Sequence, residues 1–212
     1  MAEIRFNVWG YDFQEGVKTL QVSFDAGSEA LRSGIVRAHD EAKVYALAVA
    51  ADPGAWIGEH EDGLVLWDQA QVLEMGVERA EDAILALRKA FVIAIYHHWE
   101  RSARNWTGLG DRNDGHLALS AKTVALGYPI HRQLEAVRDL VNILKHGNDD
   151  KGRKLKNAWQ EVFSADFQPG PAGTDWYEAV RITDRQVLEV CEVVAGSGPT
   201  PDLLPGVREL ET

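Results

Sequence analysis

The hydrophobic positions of this chain change rhythm along its length. Near the start, Ile4, Phe6 and Val8 alternate with Arg5 and Asn7, and Leu20, Val22 and Phe24 alternate with Gln21 and Ser23. Period-two alternation puts every second side chain on one face of a strand, so both runs predict strands, joined by a loop through Gly16. Ser28 then caps a predicted helix of about six turns. That helix stops before Asp52-Pro53-Gly54, since proline lacks the N–H that another turn needs. Residues 56–60 and 64–67 flank Asp62-Gly63, a dipeptide suited to the positive φ angles of a tight hairpin turn. Residues 1–67 thus read as a small α+β unit in the order ββαββ.

From Asp68 the apolar steps become three and four. Leu73, Val77, Ala80, Ile84, Leu87, Phe91, Ala94 and His98 form the seam of one long helix. A second apolar face opens at Leu85, Val92, Tyr96 and Trp99. Residues 107–115 read as a loop, and 116–126 as a short helix ended by Gly127. Pro129 suits the first turn of the next helix and Gly147 its end, with Ile130, Leu134, Val137, Val141 and Leu144 as the buried stripe. Residues 154–163 predict a further amphipathic helix and 176–183 a strand. Thr183 and Gln186 form a capping box opening a helix to Ala195. The tail from Gly196, with its prolines, is expected to be extended or mobile. The fold class is mainly α: a helical bundle over 68–195, the small unit before it, and a flexible tail over 196–212.

A hydrophobic share of 45% and a charged share of 26% are those of a globular chain. The start lacks a basic segment followed by an apolar run, so no signal peptide is expected. The most apolar stretch, 90–96, is too short to span a bilayer. Cys191 is the single cysteine, which excludes an internal disulfide framework and a multi-cysteine zinc site. It falls in the apolar pattern of the last helix, so a buried thiol in a reducing, cytoplasmic compartment is expected. The net charge of −11 argues against broad, non-specific nucleic-acid binding. The charge is uneven, however: residues 91–160 carry 11 Lys/Arg against 7 Asp/Glu, and five of the seven histidines. An anionic ligand is expected there.

The helix over 129–146 concentrates the chemistry. At about 100° per residue, and with Arg138 at zero, His131 falls near about 20°, Asn142 at about 40°, Glu135 at about 60° and His146 at about 80°. Five side chains able to bind or move protons share a stripe bordering the apolar face. The end of the preceding long helix offers His98, Arg101 and Asn105, which would meet that stripe if the helices pack antiparallel. A metal is not expected: neighbouring His97 and His98 point about 100° apart, and His97-x-x-Glu100 has no second copy.

The segment RDLVNILKHG, with Arg138, Asn142 and His146 at four-residue steps, resembles the signature helix of the HEPN superfamily, helical-bundle domains of bacterial toxin and antiviral systems. The helix end YHHWERSARNW is similar to the long core helix of such bundles. The resemblance implies metal-independent cleavage of RNA by a homodimer without cofactor, and an antitoxin or defence partner. It assigns His146 as general acid/base, Arg138 as phosphate clamp and Asn142 as positioner, with Lys151, Arg153 and Lys154 guiding the RNA backbone. The alternative is a non-catalytic helical module for interaction or for nucleotide or RNA binding. There Arg138 pairs with Glu135, Asn142 satisfies a backbone group, His146 favours the helix C-terminus, and His98 belongs to the core.

Overall fold

The structure is a computed structural model that describes residues 6–110, 115–171 and 173–203. It is mainly helical with one small sheet, in the order α1 (Val8–Ala51), β1 (Gly58–Glu61), β2 (Leu64–Asp68), α2 (Gln69–Thr107), α3 (His116–Ala125), α4 (Leu134–His146), α5 (Asp149–Ala158), α6 (Trp176–Ala179) and α7 (Asp184–Ala195). Single 3-10 turns lie at Pro53–Ala55 and Gln160–Val162. The chain divides into two compact units, residues 24–87 forming one and residues up to 23 together with those from 88 onward the other. Both divisions fall inside long helices, not at the strand-to-helix change near residue 68. No helix among the described residues is long and apolar enough to cross a membrane.

The expected N-terminal strands are absent among the described residues, where a 44-residue helix stands instead (Ile4 and Arg5 lie outside them). The reason is visible in burial. Phe13, Val17, Leu20, Phe24, Gly27, Leu31, Gly34, Ala38, Ala42, Tyr45 and Val49 are all buried or half-buried, at steps of three or four residues. Alternation of period two holds for three apolar residues at a time, whereas the helical rhythm runs for almost forty. The longer pattern wins, because each further turn adds buried surface and a backbone hydrogen bond. Ser28, read as a cap, is a buried position within this helix. The helix ends where Pro53 dictates.

Within residues 24–87, the hairpin forms as expected, with Glu59 opposite Trp67 and a turn in which Asp62 and Gly63 both have positive φ, 50° and 80°. The Tyr45 hydroxyl accepts the Ile57 N–H at 2.9 Å, and His39 lies 3.5 Å from Glu81. Phe24 and Ile84 are the buried large apolar side chains of this unit.

The other unit holds the main core. On α2 the second apolar face is the deeper one: Val92, Tyr96 and Trp99 are buried, while Phe91, Ala94 and His98 of the long seam are half-buried. Trp106 Nε1 donates to Thr123 Oγ1 at 3.0 Å, tying α2 to α3. Helix α4 starts later than expected. His131 Nδ1 accepts the Gln133 N–H, and the His131 N–H donates to the distant Ser197 Oγ, so one local and one long-range side-chain bond hold residues 131–133 outside the helix. His131 is therefore not part of the α4 stripe. Gly147, at φ +60°, ends α4 as expected. Asn148 caps α5, which starts earlier than predicted and ends at Ala158.

Residues 176–183 are not a strand. Asp175 caps the short α6, and only a single bridge, Phe163 to Val180, follows. Helix α7 carries the predicted capping box and buries Cys191. Residues 197–199 are buried: Trp99 Nε1 donates to Ser197 O, Gln14 Nε2 to Pro199 O, and the Asn7 N–H to Pro201 O. The tail is thus anchored through residue 203, and its remainder lies outside the described residues, as do residues 111–114 of the predicted loop.

Gly152 on α5 lies flat against the Trp176 ring; an added Cβ would sit 2.2 Å from Trp176 Cδ2. Since Trp176 is fully buried and cannot step aside, Gly152→Ala should lower stability by about 1–3 kcal/mol, read by urea unfolding. An unchanged midpoint would show that α6 is free to shift.

Candidate functional site

A cleft of about 350 Å³ opens among α2, α3, α4 and α5, lined by Tyr96, His97, Glu100, His116, Arg138, Val141, Asn142, Lys145 and Lys151. Helical spacing brings Tyr96, His97 and Glu100 to one side of α2, and Arg138, Val141, Asn142 and Lys145 to one side of α4. His116 opens α3, and Lys151 comes from the first turns of α5.

Beside the cleft lies a buried carboxylate. Asp139 is 1% exposed and receives Arg138 Nε and Nη2 at 3.2 and 3.0 Å. Lys151 Nζ approaches the same oxygen at 3.1 Å, and Lys154 Nζ the other at 3.6 Å. Glu135 extends the network, 2.5 Å from Lys154 Nζ and 3.5 Å from Arg138. The Lys154 hydrogen bond holds the Glu135 carboxyl below its ordinary value. A buried carboxylate needs this much compensation. In return, it fixes the Arg138 guanidinium and joins α4 to α5.

Across the cleft, Tyr96 Oη lies 2.9 Å from His116 Nδ1, and Ser120 Oγ stands 3.5 Å from Nε2. Burial, then the Arg138 charge, pushes the His116 pKa down to about 4. Burial, then Glu100, raises that of Tyr96. A phenol that stays protonated thus faces an imidazole that stays neutral. On the lip, Lys145 Nζ lies 3.3 Å from His97 Nε2, and His97 Nδ1 3.4 Å from Glu100.

The cleft unites Arg138, Asn142 and Lys151 of the expected site, with Glu135 and Lys154 held in the ion-pair network behind it. The other expected residues lie elsewhere. His146 is exposed at the end of α4 and does not line the cleft. At about 1.5 Å per residue, it stands roughly 12 Å along the axis from Arg138, beyond the reach of one phosphate. His98 stacks on Phe13 at 5.5 Å with its Nε2 3.0 Å from Phe13 O, and burial lowers its pKa. His98 and Arg101 line a different groove, with Gly16 and Thr19. It is Tyr96, His97 and Glu100 that meet α4, not His98, Arg101 and Asn105. His131 stands with Gln133, Arg185 and Glu189. Arg153 bonds Asp149 and the carbonyls of Gly170 and Pro171, which makes it an anchor for that loop.

Sequence reasoning missed Tyr96, His116, Lys145 and Asp139. Tyr96 was visible only as an apolar position and His116 only as the start of a helix. Asp139, one residue from Arg138 and next to the apolar face, was the available signal. Among the described residues, no three His, Cys, Asp or Glu side chains are placed to share a metal ion. Compared with family models, curated proteins and solved structures, the chain shows no match.

Asp139→Asn leaves Arg138 and Lys151 without their shared counter-charge, and should destabilise by about 3 kcal/mol in urea unfolding. His116 gives a pH prediction. Its value is about 4 in the folded chain against 6.5 for a free imidazole. Between those values the unfolded chain takes up a proton that the folded site refuses, so stability falls as pH drops from 6.5 towards 4. His116→Gln should flatten that part of the stability profile. An imidazole resonance titrating near its free value would refute the assignment.

Proposed function

We propose that the protein is a helical module that recognises phosphate groups, with RNA or a nucleotide as its ligand. The observation that carries this reading is the convergence of Arg138, Lys145 and Lys151, together with Asn142, on one cleft where Glu100 is the lining carboxylate. Cations on half-enclosed walls focus positive potential, and charge-assisted bonds from Arg and Lys suit phosphate oxygens. Asp139 occupies the Nε–Nη2 edge of Arg138, so that edge positions the guanidinium and Nη1 is the nitrogen left to serve a ligand. Neutral His116 and Tyr96 add polar groups without charge, suited to a ribose or base. The resemblance of RDLVNILKHG to the HEPN signature helix favours RNA among phosphate-bearing ligands.

Metal-independent RNA cleavage is the second reading, favoured by His116 standing in the cleft with Arg138. In this form His116, not His146, takes the proton of the 2′-hydroxyl. An imidazole held down to about 4 is a poor proton acceptor at neutral pH, which ranks cleavage below binding. A homodimer and an antitoxin or defence partner belong to this second reading.

The test is fluorescence anisotropy with a labelled RNA oligonucleotide and with ADP as competitor. Lys145→Gln with Lys151→Gln should weaken binding by about tenfold or more and reduce its salt dependence. His146→Ala should leave it unchanged. Binding that ignores the lysine changes would end the proposal. Chelator-resistant RNA degradation lost in His116→Ala would promote cleavage over binding.

A further inference from the structure

We propose that residues 24–87 form a docking surface for a basic, amphipathic helix of a partner protein. The surface is a groove of about 670 Å³ with an apolar floor of Val44, Tyr45, Ala48, Ile57 and Leu73, and with Asp40 and Glu41 at its side. The Tyr45 hydroxyl holds the Ile57 backbone, so one wall of the groove is fixed in place.

Two independent properties of this unit define the occupant. The first is unburied apolar surface. Ten of the eighteen exposed large hydrophobic side chains among the described residues fall in these 64 residues, Val44 at 66% and Ile57 at 53% among them. All four apolar side chains of β2, residues 64–67, are exposed, whichever face of the strand they point from. An isolated two-stranded hairpin is marginal in water, and exposed apolar side chains in this number beside an apolar groove mark a binding surface. The second property is charge. The unit carries 4 Lys/Arg against 13 Asp/Glu, a net charge of −9, most of the chain's −11. A second copy would bring nine more negative charges to the same surface, which disfavours self-association through it. Nucleic acid and anionic lipid are disfavoured for the same reason. A helix with leucine-like residues on one face and Lys/Arg along its edges matches both properties at once, apolar face in the groove and cations against Asp40 and Glu41.

The experiment titrates the full chain with a synthetic leucine–lysine amphipathic peptide of about 15 residues, and with a leucine–glutamate peptide of the same pattern, by calorimetry. The expected result is binding of the lysine peptide alone. That binding should weaken about tenfold on Val44→Gln with Ile57→Ser, and also on Asp40→Asn with Glu41→Gln. The substituted side chains are exposed or at the groove edge, and unchanged helical circular dichroism confirms that the variants fold. No binding of the lysine peptide, equal binding of the glutamate peptide, or binding indifferent to the groove variants would each overturn the proposal. So would a wild-type dimer in sedimentation that Val44→Gln with Ile57→Ser converts to monomer.

Discussion

A carboxylate taken out of water must be surrounded by donors, and Asp139 is the point around which the candidate site is built. Three cations from two helices converge on it. Arg138 is its neighbour in sequence, whereas Lys151 and Lys154 arrive from α5 across the turn at Gly147. The geometry of the cleft follows from this arrangement. Without Asp139, three positive side chains close together would repel one another and spread into solvent. With it, Arg138 and Lys151 are held on the cleft wall, and Lys154 and Glu135 close the network behind them. The same fixed charge then acts on the opposite wall, where Arg138 adds to the effect of burial in keeping His116 neutral.

The helices best predicted are those with local punctuation. Gly147 ends α4, the Thr183–Gln186 box opens α7, Pro53 ends α1, and Asp62-Gly63 makes the hairpin turn. Each is a short-range device that works whatever else the chain does. The error over residues 6–24 came from weighing two short alternations above a longer rhythm that becomes obvious once burial is known. The error at 129–133 and at 176–183 has another source. His131 and Ser197, 66 positions apart, settle the first by a hydrogen bond, and packing of Trp176 on Gly152 accompanies the second.

The site was half legible for similar reasons. One helix can reveal that Arg138 and Asn142 share a face, because periodicity alone decides that. It does not reveal where along the axis a ligand would sit, and this is why His146 was grouped with residues two turns away. The opposite wall, with Tyr96 and His116, comes from other helices, and its composition depends on how they turn towards α4. All the residues that line the cleft lie within the basic stretch 91–160. The strongly acidic residues 24–87 belong to the other unit.

Asn7 bonds the carbonyl of Leu203, 196 positions later, and its own N–H bonds Pro201. The opening turns of α1 therefore rest on residues made almost two hundred positions later. At roughly 5–20 residues per second of synthesis, that wait lasts about 10–40 s. Throughout it, Trp9, Phe13 and their neighbours have no finished surface to lie on. Docking of those opening turns is therefore timed by the arrival of residues 201–203.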